Sequence, residues 1–140
     1  MNVFTHNELM AALSAGIAEA ERRGVVVGIS IVDESGALVG SIVMADAKES
    51  WLADDSRGKA MVPAVFSART SGSMQEHSNS PMAVWLNDHY GRRLNFLKGG
   101  VPIHRDGKLV GGAGAGGGPL DDDEAIAWVV SHALGDNSGA

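Results

Sequence analysis

Nine of the nineteen glycines in this chain fall between residues 99 and 118, and this cluster constrains the fold more than any other feature of the sequence. Glycine weakens the interior of a strand, and its usual purpose there is to let another backbone or a ligand approach closely. The cluster therefore marks one special region of the chain. We expect its main role to be close packing of backbone, with the binding of a flat ligand or an anion as the alternative.

The glycines at 111–118 precede a predicted helix, as the glycine-rich loops that bind phosphate do. They lack the Lys-Ser/Thr pair of a P-loop, and Pro119 interrupts the GxGxxG spacing of dinucleotide-binding loops. Three aspartates at 121–123 fall in the first turn of the helix, where they neutralise the positive end of its dipole. A phosphate ligand is therefore disfavoured.

Composition excludes several classes of partner and site. A formal net charge of −6 argues against non-specific binding to nucleic acid or anionic membrane, because affinity for phosphate depends on clustered Lys and Arg. The absence of cysteine excludes disulfides, thiolate-ligated zinc, iron–sulfur clusters and covalently attached c-type heme. No apolar run approaches the roughly 18–20 residues of a membrane span, and residues 1–24 contain no signal-peptide core. We therefore expect a cytoplasmic protein with no membrane partner.

Local signals predict two hairpins. A capping box of Thr5 and Glu8 begins an N-terminal helix, and Gly24 stands where that helix should end. Strand-like runs at 25–32 and 37–44 flank a short turn, and the first run is apolar on both faces, which indicates a central strand. A second hairpin joins residues 97–104 to residues 109–115 through an Asp-Gly turn.

Helices fill the remaining chain. Residues 51–66 predict a helix that Pro63 should kink or end, and residues 69–80 predict a polar loop. Ser80 before Pro81 marks another helix start, and a last helix begins near Asp121. The order of elements indicates a single α+β domain over residues 1–134, with an antiparallel sheet of about five strands packed against helices. We expect residues 135–140 to form a disordered tail.

The chain carries a set of motifs in a recognisable order. A GGVPI segment at 99–103 leads into the Asp106-Gly107 turn, and the next strand ends in a glycine-rich loop ahead of Asp123. These motifs resemble those of the GlcG/HbpS-like family of heme-binding and heme-degrading proteins. The resemblance implies a profilin-like fold, assembly into homo-oligomers, and a small-molecule ligand such as heme or a related tetrapyrrole. The chain departs from the family pattern at Gly116, at Ala113 and Ala115, and over residues 71–93.

None of the five histidines forms an HxxxH or HxH pair, so the sequence predicts no local metal site. His89 completes a helix face with Met82, Trp85 and Leu86, and it is a candidate heme ligand or general base, with a structural role as the alternative. His104 is a second candidate base in the strand after the GGVPI segment. The resemblance implies a heme-ligating histidine in the N-terminal helix, for which His6 is the nearest candidate.

Other residues are candidates for binding the ligand itself. Lys59 and Arg69 are candidates for holding a carboxylate of the ligand, because Arg and Lys side chains bind such groups. The alternative is that they lie on a solvated helix face or form an ion pair with Asp54 or Asp55. A groove of Met82, Trp85, Phe96 and Leu97 would suit a large flat apolar ligand. The complete set of ligand-binding candidates is Lys59, Arg69, Trp85, Phe96, Gly116, Gly117 and Gly118.

Three functions fit these observations. The first is a protein that binds a small molecule, with heme as the ligand that the resemblance implies. The second is an enzyme for a small organic acid or aromatic catabolite, with His89 or His104 as general base and Arg69 or Lys59 as anion clamp; small side chains at 113 and 115 would leave room for such a substrate. The third is a non-catalytic, oligomeric sensor or accessory module.

Overall fold

The computed structural model describes residues 2–136, so residues 137–140 of the predicted tail lie outside the described residues. The helices and strands follow the order that the sequence predicts, except that a 3₁₀ helix occupies part of the loop predicted at 69–80. Within the described residues, no helix has the length and apolar character needed to cross a membrane. The elements are α1 (His6–Arg23), β1 (Gly28–Asp33), β2 (Leu38–Val43), α2 (Leu52–Val65), a 3₁₀ helix (Gly72–His77), α3 (Pro81–His89), β3 (Gly100–Arg105), β4 (Lys108–Gly116) and α4 (Leu120–Leu134).

The four strands form one antiparallel sheet in the order β2-β1-β4-β3. The α+β class is therefore confirmed, although the sheet has one strand fewer than the five expected. The second hairpin explains the difference, because β4 extends over nine residues to Gly116 and α4 begins at Leu120. Too little chain remains between them for another strand. β1 is buried along its whole length, as predicted for a central strand.

Local signals at the helix ends are confirmed. Thr5 Oγ1 accepts a hydrogen bond from Glu8 N at 3.1 Å, and Thr5 N donates to Glu8 Oε1 at 3.0 Å. Gly24 ends α1 with a φ of 70°, in the left-handed region that favours glycine. Ser80 caps α3 ahead of Pro81. Pro63 lies in the last turn of α2, which ends two residues later at Val65.

The two faces of the sheet carry different helices. α1 and α4 cover one face, where the larger apolar core includes Ile29, Ile31, Val101 and Ile103. Ala113 and Ala115 lie in the same core and are fully buried. Their small side chains therefore do not leave room for a substrate, contrary to the expectation above. α2 covers the other face and packs mainly on β4.

The glycines of β4 that face α2 explain how this helix reaches the sheet. A Cβ atom at Gly112 would overlap the carbonyl oxygen of Ala60, and one at Gly114 would overlap that of Ser56. At Gly116 the added atom would overlap the carboxylate of Asp55. Alternate residues of a strand point to the same face, so this row of glycines lets the backbone of α2 lie directly on β4. Close backbone packing is the role that these positions have in the fold.

We predict that Gly114→Ala lowers the free energy of unfolding by about 1–3 kcal/mol, because the new methyl group forces α2 away from β4. Gly40→Ala is the matched control, since a Cβ atom at Gly40 would have its nearest neighbour at 3.6 Å, an ordinary contact distance. This control should change stability by less than about 0.5 kcal/mol. Urea unfolding of both variants measures the difference. Equal stability of the two variants would contradict the packing described here.

Candidate functional site

An exposed apolar surface lies along α3. Met82 is 66% exposed and Trp85 is 62% exposed, and helical spacing places His89 on the same face. An open cavity of about 560 Å³ is lined by Pro81, Met82 and Trp85. We refer to Pro81, Met82, Trp85 and His89 as the α3 surface. An apolar surface of this kind, bordered by a polar group, is typical of a binding site.

His89 closes the C-terminal end of the α3 surface. Its ring stacks on that of Trp85 with 5.4 Å between centroids and 11° between planes, and it meets the ring of Tyr90 edge-on at 5.0 Å. No residue from 2 to 136 forms a hydrogen bond with the imidazole, which is exposed. A neutral imidazole in this setting keeps a ring nitrogen available to bind a metal or to accept a proton.

The predicted groove is only partly assembled. A second apolar core, which includes Val32, Met61 and Leu94, lies on the α2 side of the sheet, and Leu86 packs against it. Phe96 packs there as well, with its ring edge-on to Phe66 at 5.9 Å. Phe96 therefore does not line the cavity beside Trp85. Of the predicted helix face, Met82, Trp85 and His89 are exposed, whereas Leu86 packs against the core. The sequence pattern did not show that Leu86 and residue 96 join the core.

Lys59 lies in a buried ion cluster. Its side chain is 2% exposed, and its Nζ atom lies 3.2 Å from Asp55 Oδ2 and 3.1 Å from Asp123 Oδ2. The same Nζ donates to the carbonyl oxygen of Ala115 at 3.1 Å. Three protein oxygens thus surround the ammonium group, two of them as hydrogen-bond acceptors. The structure shows the ion pair with Asp55 that the sequence left as an alternative to a ligand clamp.

The carboxylates of this cluster have further partners. Asn95 Nδ2 donates to Asp55 Oδ1 at 2.7 Å, and Gly118 N donates to Asp123 Oδ1 at 3.0 Å. Burial raises the pKa of the Asp123 carboxyl, and the Lys59 ammonium and the Gly118 N–H offset part of that rise. The pairing of Lys59 with Asp123 was not predicted from the sequence. The signal that could have found it is the position of Asp123 among the family motifs.

The candidate base His104 lies far from the candidate anion clamp Lys59. His104 pairs with Leu109 near the start of β4, whereas Lys59 binds the carbonyl of Ala115 near its end. Six residues of strand separate these positions, which corresponds to about 20 Å. Arg69 is exposed after α2, with its Nη1 atom 3.7 Å from the sulfur of Met74. The structure therefore does not assemble His104 and Lys59 into the base and clamp of an active site.

His6 occupies the first position of α1 and is exposed. α1 packs with α4 on one face of the sheet, while Leu86 and Tyr90 pack beside α2 in the second core, on the other face. The helix that carries His6 thus packs on the opposite face of the sheet from the core that α3 joins.

The candidate glycines at the end of β4 and just after it have different surroundings. Gly116 is buried beneath Asp55, whereas Gly117 and Gly118 line a cavity of about 270 Å³. Asp46, Lys48 and Glu49 also line this cavity, and its two carboxylates against one ammonium group do not favour an anion. Over residues 2–136, no group of three or more His, Cys, Asp or Glu side chains is placed to hold a metal ion.

One protein-family model matches most of this chain, and several solved structures are similar to it. The model of HbpS-like heme-degrading proteins matches residues 4–130. The crystal structure of a PduOC:heme complex is 25% identical, with a TM-score of 0.79 and 94% of each chain covered. A double mutant of Streptomyces reticuli HbpS is 26% identical, with a TM-score of 0.81, covering 96% of this chain and 89% of that one.

Klebsiella pneumoniae ORFY is 19% identical, with a TM-score of 0.82, covering 95% of this chain and 91% of that one, and this likeness shows the fold alone. No protein of curated function matches the sequence significantly.

We predict that Lys59→Met lowers the free energy of unfolding by about 3–5 kcal/mol, because it leaves two buried carboxylates without their cation. Lys98→Met is the matched control: it removes an ion pair with Asp121 whose carboxylate is 89% exposed. Water solvates that carboxylate, so this variant should unfold at nearly the wild-type urea concentration. A Lys59→Met protein as stable as the Lys98→Met protein would show that the buried cluster contributes little.

Proposed function

This chain belongs to the family of HbpS-like heme-degrading proteins, and from that premise we propose that it binds heme or a closely related tetrapyrrole on the α3 surface. The observation that carries the proposal is the exposed His89 ring, stacked on Trp85 and without a hydrogen bond among the described residues. The heme complex of the structurally similar PduOC supports the choice of ligand.

The α3 surface fits a large flat ligand. Its cavity of about 560 Å³ is lined by a proline, a methionine and a tryptophan, and its open side admits a molecule wider than the cavity. Covering Met82 and Trp85 with an apolar ring would remove much of their exposed surface from water, which is favourable by roughly 25 cal/mol for each Å² of apolar surface. Bound heme would supply an iron centre for redox or oxygen chemistry.

Each residue of the α3 surface has a different role in the proposed binding of the ligand. Trp85 stacks on the imidazole of His89 and restricts its orientation, so less conformational freedom is lost when a ligand binds. His89 would hold the heme iron through a ring nitrogen, as histidine does in many heme proteins. Met82 provides a flexible thioether that adapts to the outline of the ring. His6 is the competing axial ligand that the family resemblance implies.

Catalysis by a histidine base and a lysine clamp is not part of this proposal, because His104 and Lys59 lie at opposite ends of β4.

The proposal includes assembly of the chain into a homo-oligomer. β2 forms one edge of the sheet, where Leu38, Ile42 and Val43 are 38–41% exposed. An apolar edge strand can pair with a second copy of the chain, so the mass of the protein is recorded by light scattering before ligand is added.

Titration with hemin, followed by Soret absorbance, tests the proposal. The wild-type chain should show a shifted, saturable Soret band, and His89→Ala should weaken hemin binding at least about tenfold, equal to about 1.4 kcal/mol. His77→Ala is the matched control, because it removes an exposed histidine of the 3₁₀ helix and should bind as the wild type does. Trp85→Ala should weaken binding without removing the axial ligand.

Two results would contradict the proposal. Hemin that leaves the Soret band of the wild-type mixture unchanged would exclude heme binding. Loss of the band in His6→Ala, with a normal band in His89→Ala, would place the ligand at His6 instead of the α3 surface.

A further inference from the structure

A second cleft separates the start of α2 from the loop that follows α3. It has a volume of about 420 Å³ and is lined in part by Trp51, Asp54, Arg57, Arg93 and Asn95. A neighbouring cavity of similar volume is lined by Arg57 and Arg93 as well, and also by His89. We call the first cavity the Arg57 cleft. Its lining includes none of the residues of the α3 surface.

Two guanidinium groups in the Arg57 cleft lack partners among the residues that the structure describes. The Nε atom of Arg57 is buried and has no hydrogen-bond acceptor. Within residues 2–136, neither Arg57 nor Arg93 forms a side-chain hydrogen bond or an ion pair. The other arginine of this cleft, Arg92, bonds to Asp88 at 3.0 Å. Buried donors without acceptors are uncommon in folded proteins, so Arg57 indicates a missing acceptor.

The acidic residues of the cleft do not supply this acceptor. Asp55 already binds Lys59 and Asn95 through its two carboxylate oxygens. Asp54 is exposed in the first turn of α2 and forms no ion pair with a described residue. The cleft therefore holds two uncompensated cations against one uncompensated anion. It favours a ligand that carries negative charge.

The lining of the cleft also includes two large apolar side chains. The indole of Trp51 is 54% exposed, and Leu94 also lines the cavity. An aromatic ring can stack on an indole, while a guanidinium binds both oxygens of a carboxylate. We propose that the Arg57 cleft binds a small organic anion in which a carboxylate is attached to a flat, apolar body. This site does not depend on heme binding.

Sodium benzoate is the probe, and its binding to the full chain is measured by titration calorimetry. Benzoate should bind with a Kd below about 1 mM, and its neutral analogue benzamide should bind at least about tenfold more weakly. Arg57→Gln and Arg93→Gln should each weaken benzoate binding at least about tenfold, whereas Arg57→Lys should retain part of it. Arg92→Gln is the matched control and should stay within about twofold of the wild type, because that guanidinium is already paired.

Several results would overturn the proposal. They are equal binding of benzoate and benzamide, equal binding of inorganic phosphate and benzoate, no benzoate binding at 20 mM, or wild-type affinity in both glutamine variants. Arg93 is exposed, so Arg93→Gln tests the site even where Arg57→Gln fails to fold. His89→Ala should bind benzoate normally, which keeps this result separate from the outcome of the hemin titration.

Discussion

The buried contact of Lys59 with Asp55, Asp123 and the carbonyl of Ala115 is the interaction on which the rest of the structure depends. It joins α2, the end of β4 and the first turn of α4 at one ammonium group. The glycines of β4 make this contact possible, because a Cβ atom at Gly116 would occupy the position of the Asp55 carboxylate. Burying three charges is unfavourable unless each is well paired, and here three protein oxygens surround the ammonium group.

Both proposed binding sites are positioned by α2. Arg57 precedes Lys59 by two residues, so their side chains point about 200° apart around the helix axis. When Lys59 faces the sheet, Arg57 is therefore directed to the opposite side, into its cleft. α3 is attached to the same helix, because Leu86 and Tyr90 pack against the second apolar core beside Met61. Anchoring α2 thus fixes the cleft and supports the helix that carries His89.

The parts of the fold that could be predicted are those encoded by neighbouring residues. Thr5 with Glu8, Gly24, and Ser80 with Pro81 each act within a few positions of the chain, and all three signals mark real helix ends. Contacts between residues that are distant in the sequence could not be predicted from such local signals. Asp123 lies 64 positions from Lys59, and only the folded sheet brings them together. The partial burial of Phe96 likewise depends on tertiary packing, which the local sequence pattern does not predict.

The most direct test of the central claim is the exchange rate of the Lys59 ammonium protons, measured by ¹⁵N-detected NMR at neutral pH. Exposed lysines exchange these protons with water too quickly to be observed, whereas a buried, hydrogen-bonded ammonium is protected. The structure predicts one protected ammonium signal that Lys59→Met removes and Lys98→Met leaves unchanged. Exchange at Lys59 as fast as at Lys98 would contradict a buried ion cluster at the centre of this fold.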